Sequence, residues 1–459
     1  MQQRGEHPTN TTTTASKITA RLDELPLGGF HRRLLFASGF GWMFDAMDVG
    51  LISFVLAALV GEWKLHPSQA GLISSSGFLG MFAGALLAGL LADRFGRKPL
   101  FQGTLLIYSI ATGLCALAGN IGTLLGFRFL VGLGLGGELP VASTLVSEFS
   151  PARRRGLMIV LLESFWAYGW VLAAIIGYLV IPRFGWRIAF LIGAVPALYV
   201  LILRRGVPES PRFLAGKGRT AEAESVMRQV DGSTAGGSRE GGAGRAAASR
   251  STAQAGRWRE LFSPQLRRRT IMLWLTWFGI VFSYYGIFAW LPSLLRATYP
   301  LVTTFQYTLI ITLAQIPGYF SAAWLVERWG RKPTLAVYLL LCAVGAFFFR
   351  GAGSASQILI WGCVISFFNL GAWGVLYTYT PELYPTRIRS SGAGSATAFG
   401  RIGGIIGPYI VGLLLPAWGA SIGVIFALFA AVFLAVALIV FLMGTETRGS
   451  SLEKIAGEP

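Results

Sequence analysis

The sequence predicts an all-α membrane protein of twelve transmembrane helices, arranged as two pseudo-symmetric six-helix bundles. Two observations carry this: an apolar composition broken at regular intervals, and motif pairs that recur at one fixed offset. Of 459 residues, 54% are hydrophobic and only 13% charged, with a mean hydropathy of +0.59; soluble domains carry about 25% charged residues. Crossing a bilayer takes about 20 helical residues. Apolar runs of that order occur at 34–60, 69–92, 99–118, 121–147, 156–181, 187–203, 270–295, 304–326, 333–349, 355–379, 391–416 and 418–443.

Residues 1–33 are polar, Thr-rich from Asn10 to Thr14, and lack the apolar core of a signal peptide, so a cytoplasmic tail is expected there. Residues 204–269 are hydrophilic and rich in Gly, Ala, Ser and Arg, the composition of a flexible linker. The bundles are therefore expected at 34–203 and 270–443, with 444–459 as a C-terminal tail. A net charge of +18 would suggest nucleic acid in a soluble protein, but its distribution points to a lipid bilayer. Of 39 Lys and Arg, only Lys64, Arg183, Arg187, Arg296 and Arg350 fall in odd-numbered connections, and Arg128 and Arg401 lie within spans. The remaining 32 lie on the other side, which puts both termini and the linker in the cytoplasm.

GLLADRFGRKP (Gly89 to Pro99) after the second span returns as AWLVERWGRKP (Ala323 to Pro333) after the eighth. EFSPARRRG after the fourth returns as ELYPTRIRS after the tenth. Asp93 and Glu327, and likewise Glu148 and Glu382, are 234 residues apart, which indicates a duplicated unit. Acids at helix ends, a turn-forming Gly and nearby bases suit a latch between helices. The candidates are Asp93, Arg97, Glu148 and Arg153 in the first half and Glu327, Arg331, Glu382 and Arg387 in the second.

A charge at the centre of a span costs about 2.5 to 3.5 kcal/mol on insertion scales, so each is a functional candidate. Asp45 and Asp48 share a face of the first span, three residues apart; Arg128 opens a Gly-rich fourth span, and Glu138 and Glu163 follow. His7, His31 and His66 fall in the terminus or loops, so any proton coupling falls to carboxylates. Glu138 stands about 15 Å along its helix from Arg128, too far to pair with it. Arg401 is the one base within the second-half spans. Its partner could be a planar carboxylate held by two parallel hydrogen bonds, tyrosine hydroxyls or backbone carbonyls. Polar aromatics at mid-span, Tyr168, Trp170, Tyr178, Tyr284, Tyr285, Trp373 and Tyr377, could stack on a flat ligand, with Asn369 or Gln315 reaching a ring nitrogen. Asn369, Trp373 and Tyr377 form a stripe at i, i+4, i+8. Trp186, Trp274, Trp290 and Trp418 read as an interfacial belt.

Cys115, Cys342 and Cys363 sit in apolar runs without metal-ligand spacing, and no Walker A loop, triad or dinucleotide fingerprint is present. An enzyme, a resident metal or cofactor and an ATP-driven pump are not expected.

The helix count, the GRK loops, RFLVGLGLGGELP from Arg128 and PESPR from Pro208 resemble the major facilitator superfamily over essentially the whole chain. Such repeats enclose a midplane site exposed alternately to each side. GWMFDAMDVGLISF from Gly41, FSYYGIFAWLPS from Phe282, NLGAWGVLYTYTPELYPT from Asn369 and AFGRIGGIIGP from Ala398 resemble the bacterial niacin transporters, relatives of the synaptic-vesicle glycoprotein 2 group. The resemblance implies a monomeric, proton-coupled importer of nicotinate in a bacterial inner membrane. It also implies that Asp48 pairs with Arg128, as in proton-coupled sugar transporters, and that Tyr178, Trp373, Tyr377 and Arg401 line the ligand cavity. In the vesicle glycoproteins a carboxylate and a lysine stand at the positions of Tyr377 and Arg401, which leaves open another aromatic acid, nicotinamide, an organic cation, or a receptor that does not transport.

Overall fold

The computed structural model describes residues 26–151, 154–199, 208–216, 218–234, 260–385, 388–415 and 422–448. Helices and turns account for the regular structure among them, with no strand. The first half comprises α1 (Gly29–Glu62), α2 (Pro67–Phe95), α3 (Arg97–Cys115), α4 (Ile121–Phe149) and α5 (Arg155–Leu179), then the short α6 (Ile181–Phe184) and α7 (Trp186–Gly193). Two helices, α8 (Pro211–Gly216) and α9 (Thr220–Thr234), precede the second half. The latter comprises α10 (Arg267–Phe288), α11 (Leu291–Arg296), α12 (Leu301–Leu313), α13 (Gln315–Trp329), α14 (Arg331–Phe349), α15 (Ala355–Glu382), α16 (Arg389–Leu414) and α17 (Ile422–Met443).

Ten stretches among the described residues are long and apolar enough to cross a bilayer. The expected third span, α3, is a 19-residue helix made more polar by Arg97, Lys98, Gln102, Thr104, Ser109 and Thr112. The sixth appears as the shorter apolar stretch Trp186–Tyr199, with 200–207 outside the described residues. These two complete the twelve. The eighth span breaks at Ala314 because Pro317 has no N–H to give to Leu313, four residues back.

The repeat holds to the residue. Helices α3 and α14 begin at Arg97 and Arg331, α4 and α15 at Ile121 and Ala355, and α5 and α16 at Arg155 and Arg389. Individual contacts repeat as well. A Cβ on Gly84 would strike the Leu133 carbonyl oxygen, and one on Gly318 would strike that of Phe367. Gly80 on α2 meets Gly132 on α4, and a Cβ on Gly136 would strike the Met81 carbonyl oxygen, so small residues at i, i+4 on both helices let the two backbones touch. The halves join where α2 meets α16, with Ser75 Oγ donating to Ile405 O at 2.7 Å, and where α5 meets α12 and α13.

One difference from the sequence reading lies in the stretch expected to be a flexible linker. There α9 buries Ala223, Val226, Met227 and Val230, a helical i, i+3, i+4, i+7 stripe, and packs on α1. His31 also differs: it lies in the first turn of α1, 1% exposed, with Nε2 3.1 Å from Phe149 O.

The turns before α3 and α14 depend on Gly96 (φ +107°) and Gly330 (φ +103°), in a region of backbone space that is essentially glycine's alone. At Gly330 a Cβ would also lie 2.6 Å from the Glu446 carboxyl carbon. Gly330→Ala is therefore expected to cost about 1 to 3 kcal/mol and to lower the melting temperature in detergent. Gly351→Ala, where a Cβ meets open space, serves as the control; equal melting of the two variants would contradict the assigned strain.

Candidate substrate cavity and buried charges

Helix α1 carries two acids into the first half, and they meet different partners. Asp48 Oδ2 lies 2.9 Å from Arg128 Nη1 on α4, and Oδ1 accepts from Thr112 Oγ1 on α3 at 2.6 Å. Both charged side chains are sealed from outside, at 0% and 3% exposure. Arg128 Nε has no partner, and a void of about 10 Å³ lies beside Arg128, also lined by Ser74 and Gly77. That is the size of one water site.

Asp45 belongs to a separate acidic cluster. Both its oxygens are buried without a hydrogen bond, in the neighbourhood of Tyr108 on α3 and Glu138 on α4. Glu138 Oε2 accepts from Thr104 Oγ1 at 2.8 Å, and Oε1 lies 3.0 Å from where a Cβ on Gly41 would stand. Gly41 and Asp45 are one helical turn apart, so Glu138 abuts the face that carries Asp45. The distance along α4 from Arg128 to Glu138 gave no sign of this contact with α1.

Between the halves lies a cavity of about 370 Å³, within the range of small-molecule sites. The second half contributes Tyr285, Trp373, Tyr377 and Arg401, and the first half contributes Glu163. Trp373 and Tyr377 lie 5.8 Å apart with planes 32° from parallel, and Trp277 stands edge-on to both. Trp277 is fixed by its own Nε1, which donates to Thr380 Oγ1 at 3.0 Å. Among the described residues no carboxylate is within ion-pairing distance of Arg401; the side chains that sense its charge are Tyr377 and Tyr285. Trp42, Trp166, Trp277 and Tyr319 also line this wall. Nothing but their ring type and mid-span position could have flagged them in the sequence.

The other expected ligand residues stand off the cavity. Tyr168 is 38% exposed, and Tyr178 is half-buried away from the lining. Trp170 and Tyr284 pack edge to face at 5.5 Å, with Phe288 beside both, and form a plug between the halves. The Tyr284 hydroxyl accepts from Trp166 Nε1 at 3.2 Å and lies 3.5 Å from Gln315 Oε1. Gln315 and Asn369 are fully buried behind the wall, and neither Asn369 amide atom has a partner. The α15 stripe thus holds at Trp373 and Tyr377 and stops short of Asn369. The belt reading fails for Trp186 and Trp290: both are almost fully buried, with Nε1 donating to Glu62 Oε2 and Pro408 O.

At the motif end, Arg331 grips Glu382 at 3.1 to 3.2 Å and reaches Glu327 at 3.3 Å. Two further acids escaped the sequence reading. Glu446 accepts from the first amides of α14, Arg331 N and Lys332 N, each at 3.0 Å, and Glu209 accepts from Lys98 N of α3 at 3.1 Å. Each carboxylate caps a helix whose first amides lack helical partners. The shared E-[ST] pairs Glu209-Ser210 and Glu446-Thr447, one after each bundle, were the available signal. Glu148 is half-buried at the end of α4. Arg153, Arg387 and the side chains of Asp93 and Arg97 lie outside the described residues, as does Trp418. Cys115 and Cys342 are buried, Cys363 is half-buried, and all three are free thiols.

Residues 33–458 match the family model described as "Sugar (and other) transporter". The chain belongs to this family of the major facilitator superfamily. It is a membrane transporter and not an enzyme. It is 53% identical to the niacin transporter NiaP of Acinetobacter baylyi, over 95% of this chain and 99% of that protein. It is 49% identical to the putative niacin/nicotinamide transporter NiaP of Bacillus subtilis, over 92% and 98%. A synaptic vesicle 2-related protein of Xenopus laevis is 30% identical over 88% of this chain and 77% of its own length. Among solved structures, the inward-open xylose transporter XylE of E. coli shares the fold with a TM-score of 0.73 at 20% identity, over 93% of this chain and 99% of that one.

The buried pair makes a thermodynamic prediction for this transporter. Asp48→Ala leaves Arg128 charged and unpaired and is expected to cost about 3 to 5 kcal/mol, whereas Asp48→Ala combined with Arg128→Met should recover much of the loss. Thermal melting in detergent checks it; a double variant no more stable than the single would contradict it.

Proposed function

We propose that this transporter is a proton-coupled importer of nicotinate by alternating access, a monomer in a bacterial inner membrane with both termini in the cytoplasm. The observation that carries the reading is Arg401, an unpaired guanidinium in an aromatic cavity. Such a group is costly in a membrane interior unless something anionic meets it, and its planar fork matches a planar carboxylate. Trp373 and Tyr377 supply faces for a flat ring. The names of the relatives agree, two of them being niacin or niacin/nicotinamide transporters. An organic cation would be repelled by Arg401.

The cavity reaches Pro381 and Ala393, at the motif end of α15 and the start of α16, while the Trp170, Tyr284 and Phe288 plug closes the other side. With the motif end in the cytoplasm, this is an inward-facing arrangement. For coupling, protonation of Asp48 releases Arg128, which loosens the contacts of α1 with α3 and α4 and lets the first half rock. The separate acid cluster at Asp45 and Glu138 is a second place where a proton can be held.

Arg401→Ala is expected to abolish nicotinate binding, because the carboxylate then enters the cavity without a counter-charge. Neutral nicotinamide should lose less. Calorimetric titration of the folded variant with each ligand checks this, and equal losses for the two would contradict a carboxylate clamp.

A further inference from the structure

We infer that Glu163 is the residue that reads the ring nitrogen of the substrate, holding one proton between its carboxyl group and that nitrogen, so that the cavity selects pyridine carboxylates over plain aromatic acids. The inference rests on the nicotinate reading above and assigns the half of the ligand that Arg401 leaves unread.

The internal symmetry fixes the placement. Helices α5 and α16 begin at Arg155 and Arg389, which makes Glu163 and Thr397 equivalent positions in the two halves. Both line the cavity, from opposite walls. Arg401 follows Thr397 by four residues on the same face of α16. Glu163 and Arg401 thus face one space from the two halves, with Tyr285 and Tyr377 lining it beside them. Both are open to one ligand within the same cavity.

The surroundings of Glu163 lack a fixed partner. It is 4% exposed, and no ion pair satisfies it among the described residues. The Trp42 indole N–H stands beside it, and its nitrogen closes no hydrogen bond. The titratable and polar aromatic groups that line the cavity with Glu163 include Trp42 on α1, Tyr285 on α10, Tyr319 on α13, Tyr377 on α15 and Arg401 on α16. Asn369 and Gln315, the amides that might have read a ring nitrogen, are behind the wall. A pyridine nitrogen accepts a hydrogen bond, which a protonated Glu163 donates; a pyridinium N–H donates, which an ionised Glu163 accepts. Either way one proton lies between them, and no covalent bond changes.

The test compares nicotinate with benzoate, which keeps the carboxylate and ring but lacks the nitrogen, on the purified wild type, Glu163→Gln and Glu163→Met. The wild type should prefer nicotinate by about tenfold or more, the worth of a hydrogen bond to an ionisable group. Glu163→Met should bring the ratio to about one by weakening nicotinate alone. Glu163→Gln, whose amide can donate to the nitrogen, should retain most of the preference but lose its dependence on pH. A wild type that binds both acids equally, or a Met variant that keeps the ratio, overturns the assignment to Glu163 and leaves carboxylate recognition standing. A wild type that binds neither acid overturns the nicotinate reading and this inference together.

Discussion

A charge placed in the hydrocarbon interior must be met by protein, water or ligand, and the way this chain meets that demand organises the whole molecule. In the first half Asp48 and Arg128 meet that demand with each other. Asp48, Arg128 and Thr112 tie α1, α4 and α3 together, and Glu138 and Thr104 make a second tie between α4 and α3. The second half carries none of these charges. The contacts of Gly169 with Met43 and Met47 return at Gly403 with Phe278 and Phe282, which sets Ser283 opposite Asp48, and the positions equivalent to Arg128 and Glu138 are Gly362 and Ala372. Its one charge at that depth, Arg401, is left to the cavity. One bundle therefore pairs Asp48 with Arg128 and turns Glu163 to the cavity, while the other presents a cation there.

The scaffold that makes this affordable is backbone contact through glycine. Lipid tails are as apolar as the helix faces, so the hydrophobic effect does not drive helices together and close packing supplies the association energy. Gly132 and Gly136 bring α4 against α2, and Gly403 and Gly407 bring α16 against α10. The same helices carry Arg128 and Arg401 at the head of their glycine runs. Close backbones leave each guanidinium little freedom, which fixes where it points. At the motif end, Glu446 and Glu209 hold α14 and α3 to the segments that follow each bundle. These caps link helix position in both halves to the cytoplasmic face in the proposed topology.

Much of this was legible in the sequence because membrane folds obey few rules. Apolar runs gave the spans, and the 234-residue offset seen in four acids extends to helix starts and single glycine contacts. What stayed hidden depended on helix rotation. Span-level reading cannot tell which face of α5 turns inward, so Tyr168 and Trp170 were expected at the ligand and Glu163 only among the charges, although of the three it is Glu163 that lines the cavity. Asn369 shares a stripe with Trp373 yet lies behind the wall, since a cavity covers only part of a helix face. Trp290 looked interfacial by position, but Pro408 O receives its N–H inside the bundle. The amphipathic α9 was masked by the low-complexity composition that follows it.

The central claim is that the Asp48 and Arg128 pair and the Arg401 cavity act together as a proton-driven nicotinate importer. Uptake of radiolabelled nicotinate into proteoliposomes, with and without an imposed pH gradient, tests it most directly. The account predicts accumulation above the external concentration when the interior is alkaline, collapse to equilibrium when a protonophore is added, and equilibration without accumulation in Asp48→Asn. Nicotinate that only equilibrates in the wild type whatever the gradient, or an Asp48→Asn variant that still accumulates it, would contradict the account.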